Sequence, residues 1–144
     1  MKHIGVLILL AATAEARPLH GSIAAGGSLL AVGAEDDHWR LDGELDISWS
    51  RIGALVALRA ADRHHGLLTG GLTFELGAAR PHLVLQAHAD GGWDLDHDTG
   101  VLGGGLRGVL GIYGPLSVVI DSGAYVVFQP RVVLSTAAML AIAW

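Results

Sequence analysis

The chain has 144 residues, enough for one domain with a sizeable core, and it is 51% apolar but only 16% charged, against roughly 25% charged in ordinary soluble domains. A net charge of -5, with Lys2 as the only lysine, argues against a nucleic-acid partner. No cysteine is present, so stability must come from the fold without disulfides.

The first residues, "MKHIGVLILLAATAEA", carry a basic start at Lys2 and His3, an apolar run from Ile4 to Ala14, and a small-x-small ending at Ala14-Glu15-Ala16. This is the pattern of a secretory signal peptide over 1–16, with the mature chain covering 17–144. The alternatives are a short buried helix or an anchor. An apolar run of about eleven residues falls short of the ~20 that a spanning helix needs.

Beyond it the chain divides into strand-length runs separated by turn chemistry. The weak run Ser22–Gly33 comes first. "WRLDGELDISW" (Trp39–Trp49) then alternates without a fault: Trp39, Leu41, Leu45, Ile47 and Trp49 on one face, Arg40, Asp42, Glu44, Asp46 and Ser48 on the other. Arg51–Ala60 places Ile52, Ala54, Val56 and Leu58 opposite Arg51 and Arg59. Leu67–Leu76 sets Leu68, Leu72, Phe74 and Leu76 against Thr69, Thr73 and Glu75. His82–Asp90 sets Leu83, Leu85, Ala87 and Ala89 against His82, Gln86, His88 and Asp90. Val101–Tyr113 aligns Leu102, Leu106, Leu110 and Ile112 opposite Arg107, and Leu116–Phe128 aligns Val118, Ile120 and Val126 opposite Ser117, Asp121 and Tyr125. The last run, Arg131–Trp144, aligns Val132, Leu134, Leu140, Ile142 and Trp144. It is rich in helix formers and reads alternatively as a buried helix. About eight strands result, an even number. The 21 glycines suit tightly curved sheet.

The connections form a second pattern. In order they are Glu35–His38, Ser50–Arg51, Asp62–His65, Gly77–Pro81, Gly91–Asp98, Gly114–Pro115 and Gln129–Pro130. With strands running up and down, alternate connections share a rim. Most acids and loop histidines then gather on one rim, while Arg51 and Arg80 join the shorter turns on the other, the asymmetry of outer-membrane barrels. Ten residue steps from Trp39 to Trp49 span about 33 Å, which a tilt of ~40° projects to about 25 Å, the height of such a barrel's apolar band. Trp39 and Trp49 would sit in the two interfacial girdles, joined by Tyr113 and Trp144.

With the apolar face outward, Arg40, Asp42, Glu44, Asp46, Arg59, Glu75, Arg107, Asp121 and Arg131 share the inward parity. An eight-stranded interior is just wide enough to be filled by side chains. The expectation is a lumen closed by an Arg/Asp/Glu network, with Gly103, Gly105 and Gly111 leaving room for the arginine arms. Inward Leu55, Val133 and Met139 make that face partly apolar.

The signal peptide, the amphipathic strands of about ten residues and the terminal Leu140, Ile142, Trp144 pattern resemble the small eight-stranded outer-membrane β-barrels of the OmpA/OmpX/OmpW-like kind. The resemblance covers nearly the whole mature chain. It implies an all-β, up-and-down antiparallel transmembrane barrel in the outer membrane of a bacterial cell, with the lipid bilayer as partner. It also implies that the C-terminal strand ending at Trp144 is recognised by the barrel-assembly machinery.

Chemistry is sparse. Asp94, Asp96 and Asp98 alternate like the first ligands of a calcium loop, but the glycine comes late, at Gly100, and Gly105 holds the twelfth position, so a solvated acidic loop is expected. His38, His64, His65 and His97 are read as solvated rim histidines. His88 and Asp90 could pair as a base and its orienting acid, with Ser117 or Ser135 as nucleophile, but a histidine hydrogen-bonded inside the barrel is the plainer reading. "GGGLRG" lies within a strand and is no phosphate loop. No enzyme, cofactor or metal is expected. The expected role is structural or surface-interacting, with the surface partner open. The rivals are a soluble lipocalin-like barrel with an apolar ligand inside and a small lipid-modifying enzyme.

Overall fold

The computed structural model describes residues 19–32, 40–61, 66–80, 82–128 and 131–144. Residues 1–16, Trp39 and the loop residues Glu35–His38, Asp62–His65 and Gln129–Pro130 lie outside them. Eight strands follow in order: β1 (His20–Val32), β2 (Arg40–Trp49), β3 (Ile52–Ala61), β4 (Leu67–Arg80), β5 (Leu83–Asp94), β6 (Thr99–Tyr113), β7 (Leu116–Val127) and β8 (Arg131–Ala143). Each pairs antiparallel with its neighbour in sequence, and β1 pairs with β8, so the sheet closes into an up-and-down barrel. The alternative helix at the C-terminus does not form. Closure supplies β8 with ladders on both sides, which outweighs its local helix preference.

Closure continues to the last residue. The Trp144 N–H donates to the Gly21 carbonyl at 2.9 Å and the Gly21 N–H to the Trp144 carbonyl at 3.2 Å. The indole lies over Gly21, where any Cβ would collide with it, so the aromatic ring covers the weak glycine position of the neighbouring strand.

The period-two pattern becomes an inside and an outside. On β3, Ile52, Ala54, Val56 and Leu58 are exposed, while Gly53, Leu55, Ala57 and Arg59 are buried. On β2, Asp42, Glu44 and Asp46 are buried between exposed Leu41, Leu45 and Ile47. The barrel is therefore inverted relative to a soluble one: its apolar side chains face outward. Among the described strand residues, no Asp, Glu, Lys or Arg side chain is exposed. Even two hydroxyls on the outer face, Ser122 and Thr136, lie across the β7–β8 ladder from each other and hydrogen-bond at 3.2 Å.

Two strands extend furthest beyond the sequence reading. β4 continues past Leu76 to Arg80, because bulges after Glu75 and after Ala78 absorb the break in alternation and Gly77 takes φ 151°, which side-chain-bearing residues rarely adopt. β5 likewise runs on through Gly91 and Gly92 to Asp94, paired with β4 down to Leu67. The expected Gly77–Pro81 connection is thus strand as far as Arg80 and the Gly91–Asp98 connection as far as Asp94, and His82 is a turn residue on the rim that carries the termini.

That rim has tight turns. Ser50 (φ 58°) opens the β2–β3 turn and Gly114 (φ 54°) the β6–β7 turn, each in the left-handed region that reverses the chain within two residues. The opposite rim has the longer intervals, at 33–39, 62–66, 95–98 and 128–130. Exposed aromatics mark both ends of the outer surface: Trp49, Tyr113 and Trp144 near the tight turns, Trp93 and Phe128 near the far rim.

Candidate functional site

The chemistry of this molecule is concentrated inside the barrel. Arg59 projects inward from β3, is 1% exposed, and reaches carboxylates on three other strands: Glu44 on β2 at 3.1 Å, Asp90 on β5 at 3.1 Å and Asp121 on β7 at 3.3 Å. Its guanidinium also lies 5.4 Å from the Tyr125 ring centroid, in cation–π range. Arg107 on β6, 2% exposed, crosses the bore in the other direction to β2. Its Nε meets Glu44 at 3.0 Å and its Nη1 meets Asp46 at 2.7 Å, while the same Nη1 donates to the Gln86 amide oxygen at 2.8 Å. Glu44 therefore joins the two arginines, one carboxylate oxygen to each. A planar guanidinium with five donors suits this, since one cation can hold several acceptors at fixed angles.

His88 completes the cluster. Its Nδ1 is 2.9 Å from Asp90 and its Nε2 is 3.3 Å from Asp121. The Tyr125 hydroxyl donates to the second oxygen of Asp90 at 3.3 Å. Arg59, Asp90, Asp121, His88 and Tyr125 thus form one connected polar group, tied through Glu44 to Arg107, Asp46 and Gln86.

Two apolar clusters share the rest of the interior with buried Ser28, Thr69, Thr73, Ser117 and Ser135. Towards the far rim Leu67, Val101, Tyr125, Val127 and Val133 pack together, and along the β7–β8–β1 wall Ala24, Val119, Ala137, Met139 and Ala141 do the same. Leu55, Val133 and Met139 are part of this buried filling.

Of the expected network, Glu44, Asp46, Arg59, Arg107 and Asp121 meet directly. Asp42 is buried, Arg40 and Glu75 are half-buried, and each makes interactions of its own. Arg131 lies in β8, with its side chain outside the described residues. His88, Asp90, Gln86 and Tyr125 were not assigned to the network from sequence, although they share its parity. The glycine expectation needs correcting. A Cβ at Gly105 would meet the Ser122 carbonyl and the His88 ring, and one at Gly103 the Ala124 carbonyl and the Tyr125 ring, rather than arginine arms, and Gly111 is exposed near the turn rim.

No protein-family model and no curated relative matches the chain. Among solved structures it is similar to a designed barrel from "De novo design of transmembrane beta-barrels", at 12% identity, with 90% of this chain and 100% of that chain covered and a TM-score of 0.53. The likeness is one of fold.

Of the catalytic set weighed from sequence, His88 and Asp90 do pair, at 2.9 Å. Both ring nitrogens of His88 face carboxylate oxygens, so neither is directed at a hydroxyl, and Ser117 and Ser135 are buried on β7 and β8. In the β5–β6 loop, Asp94 accepts the backbone N–H groups of Asp96 at 2.9 Å and His97 at 3.2 Å, and His97 Nδ1 lies 3.1 Å from Asp94 and 3.2 Å from Asp96. Asp98 turns away to accept the Trp93 indole N–H at 3.0 Å. The three aspartates thus do not converge as a calcium loop requires. The convergent set is Asp94, Asp96 and His97, whose ligand atoms lie within 4.8 Å of one another.

Proposed function

We propose that the chain is a small outer-membrane β-barrel with a structural or surface-interacting role, its lumen closed by the Arg/Asp/Glu/His network and therefore not a general pore. The observation that carries this reading is the inversion of the barrel: an outer surface whose described strand positions expose no charged side chain, around an interior holding Arg59, Arg107, Glu44, Asp46, Asp90 and Asp121. In water the outer half is unfavourable, since apolar surface meets solvent, while the interior charges are held by one another in either setting. In a bilayer the outer face is matched to lipid, and the closed ladder leaves no open sheet edge in the wall. A soluble lipocalin-like barrel needs the opposite faces. Residues 1–16 would direct export, β8 with Trp144 would present the assembly signal, and the far-rim loops would meet surface partners.

Two measurements test this reading. The exported protein should have an intact mass that begins at Arg17; a mature form retaining Met1 would remove the export signal. Purified protein in planar bilayers should show no steady ohmic conductance, because two buried arginines cross the bore and an eight-stranded interior is only wide enough for side chains. A stable open channel would overturn the closed lumen.

A further inference from the structure

The outer face is not evenly filled. Going inward from the turn rim, β6 presents Ile112, Leu110, Gly108, Leu106, Gly104 and Leu102 on that face, and the two glycines have different neighbours. Gly104 pairs with Ala89 and Ala124, so the surface there is low and flat. Gly108 pairs with Leu85 on one side and Ile120 on the other, and the next rung towards the turns is Leu83, Leu110 and Val118. Gly108 lacks a side chain among tall neighbours, and an open surface groove of about 470 Å³ is lined by Leu83, Gly108, Leu110, Val118 and Ile120. Crowding does not require the glycine, since a Cβ on Gly108 would find its nearest neighbour, Leu85 Cδ2, at 3.8 Å.

We propose that this groove holds one acyl chain of a lipid in the leaflet at the turn rim. The proposal rests on the membrane reading above and adds a preferred lipid position to it. The chemistry selects hydrocarbon: no side chain lining the groove offers a hydrogen bond or a charge. A peptide segment would bring unsatisfied backbone groups to a wall without partners for them. A second copy of the chain is disfavoured by size, since five lining residues fall well below the ~20–30 per side of a stable protein interface. A flexible chain of methylenes can follow the floor of Gly108 and touch the walls on both sides. Its advantage over lipid elsewhere on the belt is added dispersion contact alone, because both positions are already dry.

The test is photolabelling of the protein, reconstituted in phosphatidylethanolamine–phosphatidylglycerol vesicles, with phosphatidylethanolamine carrying a diazirine on its acyl chain. Adducts are mapped by peptide mass spectrometry. From a modest number of extra dispersion contacts, adducts at Leu83, Leu110, Val118 and Ile120 should exceed those at exposed Ile47 and Ile52 on the opposite wall by roughly threefold. In Gly108→Leu the excess should disappear while the barrel keeps its heat-modifiable gel mobility; Gly108→Ala, with a Cβ that fits, should give a smaller loss and serves if the leucine variant does not fold. Equal labelling around the wild-type belt, an excess unchanged in the glycine variants, or cross-links between two copies through these residues would each overturn the groove assignment. A folded protein in vesicles with no acyl label anywhere on the belt would instead overturn the membrane reading itself.

Discussion

Replacing Arg59 with alanine is expected to destabilise the folded barrel by about 3–5 kcal/mol, the cost of leaving buried charges without their partner. Arg59 meets three carboxylates, on Glu44, Asp90 and Asp121, so its loss leaves acids from β2, β5 and β7 facing one another where water is scarce. Arg107 still holds one oxygen of Glu44, and His88 still faces Asp90 and Asp121, so the barrel should weaken without losing its topology. Arg59→Lys should fall between wild type and alanine, because an ammonium keeps the charge but not the fork that reaches several acceptors at once. Adding Glu44→Gln and Asp121→Asn to Arg59→Met should recover part of the loss by removing the orphaned charges. Reversible urea unfolding in detergent micelles, followed by tryptophan fluorescence, measures all four variants. A change below about 1 kcal/mol for Arg59→Ala would mean that the network contributes little to stability.

An arginine placed at Val56 should cost about 2–4 kcal/mol in a bilayer, the penalty for a cation near the midplane of a barrel's lipid face. Val56 is in the middle of β3, outward and 53% exposed, between inward Leu55 and Ala57. Leu95→Arg is the control: Leu95 is equally exposed at 53%, but it lies in the β5–β6 loop, where the change should stay within about 0.5 kcal/mol. The same two variants would behave alike in a soluble barrel, since both positions would then meet water. Unfolding titrations in vesicles separate the cases. Equal stability of Val56→Arg and Leu95→Arg would count against a lipid-facing belt.

How far these features were legible in the sequence follows from what alternation can encode. Parity was visible. The "RLDGELDISW" run and the single arginines of β3 and β6 show which side chains share a face, and one buried face on each of eight strands implies a closed sheet. Contacts across the bore depend on strand stagger, which alternation does not carry. Arg107 meets Glu44 and Asp46, sixty or so positions away in sequence, because closure places β6 opposite β2 at that depth. His88 and Asp90 had the right parity to join the network, but their closeness in sequence suggested a local pair first, and their second partners, Asp121 and Arg59, come from other strands. Glycine was ambiguous for a related reason. Gly103 and Gly105 do make room, yet which side chain occupies it is decided by Tyr125 on β7 and His88 on β5. Strand ends were obscured where bulges break the alternation, as after Glu75, because a bulge shifts parity without ending the pairing.

The measurement that bears most directly on the inverted barrel is refolding from urea into three solutions: detergent micelles, phospholipid vesicles and buffer alone. Each is read by heat-modifiable gel mobility and far-ultraviolet circular dichroism. The outer belt should allow the folded form in micelles and vesicles, with strand signal and a mobility that shifts on boiling, and should leave the chain unfolded or aggregated in buffer. A monomer that folds cooperatively in buffer without any amphiphile would contradict the account.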